Sequence, residues 1–130
     1  MIPILGAVAM LFLPVSASSL PVRAYERAEL FATCSGRLDA LATRQRALSE
    51  AEAHDNARLS DEFQVLLDTV LPKALSEGVP ETLPRRWRSQ GWVEIAALLA
   101  DVDHSFDPRR AELAREAMLQ RISSCRAVLL

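Results

Sequence analysis

The sequence predicts an all-α protein: an up-down-up-down four-helix bundle that follows an N-terminal hydrophobic segment. Three observations favour this fold class. Apolar side chains recur every three or four positions in four separate stretches, which is the period of one helix face. Glycine is scarce, at four of 130 residues, while Ala, Leu, Arg and Glu, which favour helices, are abundant. Short connectors join the stretches, and such connectors place consecutive helices antiparallel to each other.

Residues 1–20 carry no charged side chain, and an apolar run of 14 residues extends from Ile2 to Val15. A membrane-spanning helix needs about 20 apolar residues, whereas a shorter run followed by small residues is typical of a secretory signal peptide. We expect cleavage after Ala17. No Lys or Arg precedes the run, which leaves open an uncleaved anchor that associates with a membrane through residues 2–20. The predicted organisation is a signal peptide, 1–17, and one helical domain, 18–130, in a periplasmic or secreted protein.

The first two helices are predicted at 23–52 and 59–77. The apolar face of the first consists of Phe31, Cys34, Leu38, Leu41, Gln45 and Leu48. That of the second consists of Leu59, Phe63, Leu66, Leu67, Val70, Leu71, Ala74 and Leu75. Ser60 is the expected cap at the start of the second helix and Gly78 ends it. Pro72 removes a backbone donor inside this helix, which predicts a kink.

The third and fourth helices are predicted at 84–106 and 108–128. The connector EGVPETLP, with one glycine and two prolines, precedes the third helix. Its apolar face consists of Trp92, Ile95, Leu99, Val102 and Phe106. Asp107 is the expected N-cap of the fourth helix and Pro108 its first residue. The apolar face of the fourth helix consists of Ala111, Ala114, Met118, Ile122, Cys125 and Leu129.

The chain has two cysteines, Cys34 and Cys125, one near each end. Export would place them in an oxidising compartment, where an even pair favours a disulfide over two buried thiols. Both lie on apolar faces of antiparallel helices. Cys125 lies 17 residues after Pro108, and counting 17 residues from Cys34 reaches Ala51 at the predicted end of the first helix. We therefore predict a Cys34–Cys125 disulfide that joins the first helix to the last.

Composition and motifs narrow the function. The 15 basic and 17 acidic residues nearly balance, whereas nucleic-acid binding calls for a basic excess. No Gly-rich phosphate loop, Gly-x-Ser-x-Gly or His-Glu-x-x-His occurs. The sequence thus predicts a protein that is not an enzyme, needs no cofactor and binds no nucleic acid. Its expected partner is another protein of the cell envelope, with a homodimer left open.

Two features of the first helix are candidates for partner binding. Residues 20–33, which include Tyr25, extend beyond the predicted disulfide and have no equal length of fourth helix to cover them. They could fold back over the end of the bundle or dock another protein. Gly36 belongs to a line of small residues, and a glycine inside a helix costs about 1 kcal/mol relative to alanine. This line serves either packing within the bundle or a partner or homodimer contact.

The stretch PRRWRSQGW gives a third candidate at the start of the third helix. Arg85, Arg86 and Arg88 surround Trp87 there, and Arg and Trp are enriched where proteins bind each other. Trp92 lies on the apolar face, so we expect it in the core and Trp87 on the surface. The alternative is a solvated arginine cluster in which Trp87 covers the end of the bundle.

Metal handling is the second function class. The two histidines, His54 and His104, lie in connectors that the predicted topology brings to one end of the bundle, with Asp103 beside them. Imidazole and carboxylate groups are ligands for transition metals. Residues 101–112 also place acidic residues in the pattern of a calcium loop, although Phe106 stands where such loops need glycine. The alternative is a set of polar loop residues with one helix cap.

Overall fold

The computed structural model describes residues 20–129, which form four α-helices and no strand. They are α1 (Ala24–Ala47), α2 (Ala53–Ser76), α3 (Leu83–His104) and α4 (Pro108–Leu129). The predicted all-α four-helix bundle is confirmed. The predicted signal peptide, residues 1–17, lies outside the described residues.

The boundary between the first two helices differs from the prediction. α1 ends at Ala47, and the chain turns at Ser49, whose φ of 55° is left-handed. The amide of Glu50 donates back to the carbonyl of Gln45, which closes this turn. α2 then begins at Ala53 rather than at 59. The apolar pattern did not reveal its first turns, because the buried residues there are small or polar. Ser60 is consequently no cap: it lies inside α2 and donates a hydrogen bond to the carbonyl of Ser35.

α1 is the central helix of the bundle. It packs along α2 and along α3, α3 packs against α4, and α1 approaches α4 over a short stretch only. Within residues 20–129, the backbones of α2 and α4 do not come close to each other, although the side chain of Arg126 reaches Asn56. The N-terminal turns of α1 are covered, since Ala24, Ala28 and Phe31 are buried. Of the predicted extension, 20–33, residues 24–33 pack into the bundle, where Phe31 contacts Phe63 of α2 and Thr33 lies against Gly91 of α3, while Leu20 and Val22 remain exposed.

Two glycines allow α1 and α3 to approach each other closely. A Cβ on Gly36 would lie 1.9 Å from the carbonyl oxygen of Arg88, and one on Gly91 would lie 2.2 Å from that of Thr33. Gly36 thus serves packing within the bundle. The alternative assignment of Gly36 to a partner or homodimer contact is wrong, because α3 already occupies that face.

The two tryptophans of α3 exchange the places predicted for them. Trp87 is 8% exposed and belongs to the core, whereas Trp92 is 37% exposed. The buried face of α3 runs through Trp87, Gly91, Ile95 and Leu99. Gly91 must face α1 to permit the close approach, and Trp92, the next residue, is therefore rotated about 100° away from that contact.

Candidate binding cleft

The predicted docking residues do not form one surface. Trp87 is buried, so it is not available to an external partner. Arg88 bonds the carboxylate of Asp39 on α1, with 3.1 Å between Nη2 and Oδ2. Arg85 and Arg86 remain exposed in the first turns of α3. Tyr25 is half-buried and donates its hydroxyl to Glu26 over 3.2 Å.

The predicted metal ligands are not assembled either. His54 lies in the first turn of α2 and His104 ends α3, both exposed. Across residues 20–129, no group of three or more His, Cys, Asp or Glu side chains is close enough to hold a metal ion. Asp103 is instead bonded by Arg44, a hydrogen bond that lowers the pKa of its carboxyl. Asp107 accepts from the amide of Arg109 at 3.0 Å and so caps α4 as predicted.

The two cysteines are joined, and they fix α4 to α1. The Sγ atoms of Cys34 and Cys125 are 2.02 Å apart, their Cα atoms 5.5 Å apart, and both residues are fully buried. The pairing agrees with the prediction, although the register that suggested it does not. α1 ends 13 residues after Cys34, against 17 between Pro108 and Cys125, a mismatch of about 6 Å.

A cleft of about 640 Å³ opens beside this cross-link, between the second half of α1, the first turn of α2 and the second half of α4. It exists because α4 is held by α3 and by the disulfide while α2 packs on another side of α1. Leu41, Met118 and Ile122 form its floor, and Leu119 stands at its lip. Leu119 is 56% exposed. The floor side chains are buried, so Leu119 is the large apolar side chain that the cleft presents to solvent.

A chain of three polar side chains borders one edge of the cleft. Asn56 is buried and donates from Nδ2 to Gln45 Oε1 at 2.7 Å, and Arg126 donates from Nη2 to Asn56 Oδ1. The Nε of Arg126 is buried without a hydrogen-bond partner. No carboxylate among residues 20–129 forms an ion pair with this guanidinium. The fold thus holds a cation at the cleft edge with part of its donor capacity unused.

The acidic groups of the cleft lie beyond this edge. Glu50, in the turn between α1 and α2, pairs with Arg44 at 3.5 Å. Glu52, the residue before α2, is exposed and has no ion-pair partner among the described residues. The lining contains neither histidine nor cysteine in the described part of the chain. The arrangement suits recognition by apolar contact and charge.

Sequence reasoning missed this cleft because three elements distant along the chain form it. Met118 and Ile122 are buried on the apolar face of the fourth helix as expected, but nothing in the pattern showed that α2 would leave a cleft beside them. Asn56 lay in a predicted connector. The only sign of its burial in the sequence was its position one helical turn before Ser60, on the same face of α2.

No protein-family model, curated protein or solved structure matches the chain. Within residues 20–129, none of the four helices combines the length and the apolar character that crossing a bilayer requires.

Proposed function

We propose that the chain is an exported, non-catalytic helical module that binds another protein of the cell envelope, and that the cleft is its binding surface. The observation that carries this proposal is an open cleft of about 640 Å³ whose lip carries the 56% exposed Leu119 above the buried side chains of Leu41, Met118 and Ile122. Apolar surface that stays open to water, with a polar border, marks interaction sites on soluble proteins.

A protein segment suits the cleft better than an enclosed small ligand. Pockets for small molecules bury most of the ligand surface, whereas a ligand here would keep one side in water past Leu119. A protein segment can keep its polar side in solvent while its apolar side covers the floor.

Export rests on residues 1–19 and on the cysteines. The apolar run followed by small residues favours a signal peptide cleaved after Ala17, and the Cys34–Cys125 pair suits an oxidising compartment. N-terminal sequencing of the protein from its native host tests this part. A chain that starts near residue 18 supports export with cleavage, while an intact residue 1 in the membrane fraction would identify an anchor.

Two matched substitutions on α4 test the binding surface. Leu119 lines the cleft and is 56% exposed, while Leu113 lies on the same helix, is 54% exposed and does not line it. Leu119→Glu places a charge at the lip, where a partner would have to desolvate it. We expect a protein recovered with wild type and Leu113→Glu to be lost with Leu119→Glu.

Equal recovery by both variants would contradict the proposal. Because both side chains are largely exposed, both variants should keep the wild-type helical circular dichroism. Their free energies of unfolding should stay within about 0.5 kcal/mol of the wild-type value. A loss of binding can then be assigned to the cleft rather than to unfolding.

A further inference from the structure

We infer that the bound segment is an amphipathic helix that places an acidic side chain against Arg126 and a basic side chain, one helical turn away, against Glu52. This inference rests on the proposed function and specifies its partner. Four observations carry it: the unsatisfied Arg126, the position of Glu52 along α2, the shape of the floor and the helical edges of the cleft.

Arg126 calls for an anionic group. Its Nη2 is bonded to the neutral oxygen of Asn56 and its Nε is buried, whereas its Nη1 forms no hydrogen bond within residues 20–129 and is the nitrogen left for a partner. A carboxylate is the strongest common acceptor for a guanidinium N–H. An incoming Asp or Glu side chain would supply what the fold leaves out.

Glu52 supplies the opposite charge at a defined distance. The amide of Asn56 donates to the carbonyl of Glu52 at 3.0 Å, so the two residues are one helical turn apart, about 5.4 Å along the axis. The side chain of Arg126 reaches Asn56, so the two charges border the same end of α2. Glu50 shares Arg44 with Asp103, whereas Glu52 forms no ion pair within residues 20–129 and is the acidic rim residue that remains for a partner. A partner helix running along α2 would face these charges with residues three or four apart.

The floor and the edges favour a helix over an extended strand or an acyl chain. Leu119, Ser123 and Arg126 line the cleft at intervals of four and three residues on α4 and form a ridge, against which residues at helical spacing interdigitate. The described walls are helices, whose backbone groups are paired internally and offer no edge for strand addition. An acyl chain would remain half exposed to water in so open a cleft.

The test uses a display library of helical peptides about 16 residues long, which is enough to sustain a helix, with one face randomised. Peptides are selected on the full-length chain and depleted on Leu119→Glu. We expect the enriched peptides to carry apolar residues with an acidic and a basic residue three or four positions apart. Arg126→Gln should weaken their binding about tenfold.

Two controls separate charge recognition from a loss of structure. Arg126→Lys keeps the cation and should retain the preference for acidic peptides. Arg109→Gln removes the same charge from an exposed position on α4 outside the cleft and should leave the affinity unchanged.

Each contradicting outcome would overturn a different claim. Enriched peptides without an acidic residue, or equal binding by Arg126→Gln and wild type, would overturn the inference and leave the cleft as a binding surface. Acidic peptides without a basic residue would overturn the role of Glu52. If no peptide remains enriched on the wild-type chain after depletion on Leu119→Glu, the proposed function itself is overturned.

Discussion

Gly36→Ala should destabilise the bundle, because the contact between α1 and α3 leaves no room for one methyl group. The added Cβ would lie 1.9 Å from the carbonyl oxygen of Arg88 and 2.9 Å from the amide nitrogen of Trp92. Ordinary van der Waals contact begins near 3.4 Å. Because both neighbours are backbone atoms, no side-chain rotation relieves the clash, and the two helices must separate locally by about 1.5 Å.

The expected cost follows from two opposing terms. Overpacking a core costs about 1–3 kcal/mol, and the rigid backbone contact places Gly36→Ala at the upper end of this range. Alanine is favoured over glycine inside a helix by about 1 kcal/mol, which offsets part of the cost. The net loss should be about 2 kcal/mol in the free energy of unfolding, measured by urea denaturation with far-ultraviolet circular dichroism.

The second glycine supplies a test of the mechanism. Gly91→Ala would clash with the carbonyl of Thr33 across the same contact, so either substitution forces the same two helices apart. The double variant should therefore lose clearly less than the sum of the two single losses. Ser89→Ala, an exposed change on α3, controls for alanine itself and should not destabilise. Unchanged or increased stability in Gly36→Ala, or additive losses, would refute the close approach.

Two further predictions concern the disulfide and acid stability. Cys34→Ser and Cys125→Ser should each lower the free energy of unfolding by up to about 4–5 kcal/mol for a separation of 91 residues, and the double variant no further; additive losses would mean two independent thiols. Arg44 lowers the pKa of Asp103 below its ordinary 3.8, so this pair stabilises the fold above that pH and the contribution disappears as pH falls through the lowered value. Because the pair is partly exposed, its contribution should stay below about 1 kcal/mol. Arg44→Gln should therefore reduce the decrease in the free energy of unfolding that urea denaturation measures on acidification. An unchanged decrease would contradict the assignment.

The sequence predicts the helices of this bundle wherever large apolar residues mark the buried face. The start of α4 is predicted to the residue, because Asp107 and Pro108 encode it locally through capping and a fixed φ. The buried face of α3 is mispredicted, because Gly91 lies at its centre and contributes no hydrophobic signal. A pattern of apolar residues places Trp92 inward, while the close contact with α1 decides the opposite.

The cleft could not be predicted from the sequence, for a different reason. Its polar edge depends on Gln45, Asn56 and Arg126 meeting from three helices, and no local pattern encodes such a meeting. The gap between the backbones of α2 and α4, which only comes about in the assembled bundle, is likewise not encoded locally. The disulfide could be predicted from residue type and compartment, whereas the count of residues from helix ends did not fix its register.

Site-specific photo-crosslinking in the native host tests the central claim, that the cleft binds another envelope protein, most directly. A benzophenone-bearing residue replaces Leu119 at the lip of the cleft, or Leu113 as the matched position on the same helix outside it. Mass spectrometry then identifies the adducts formed on irradiation. We expect an adduct with one envelope protein from position 119 that is missing from position 113. No adduct from position 119, or the same adducts from both positions, would contradict it.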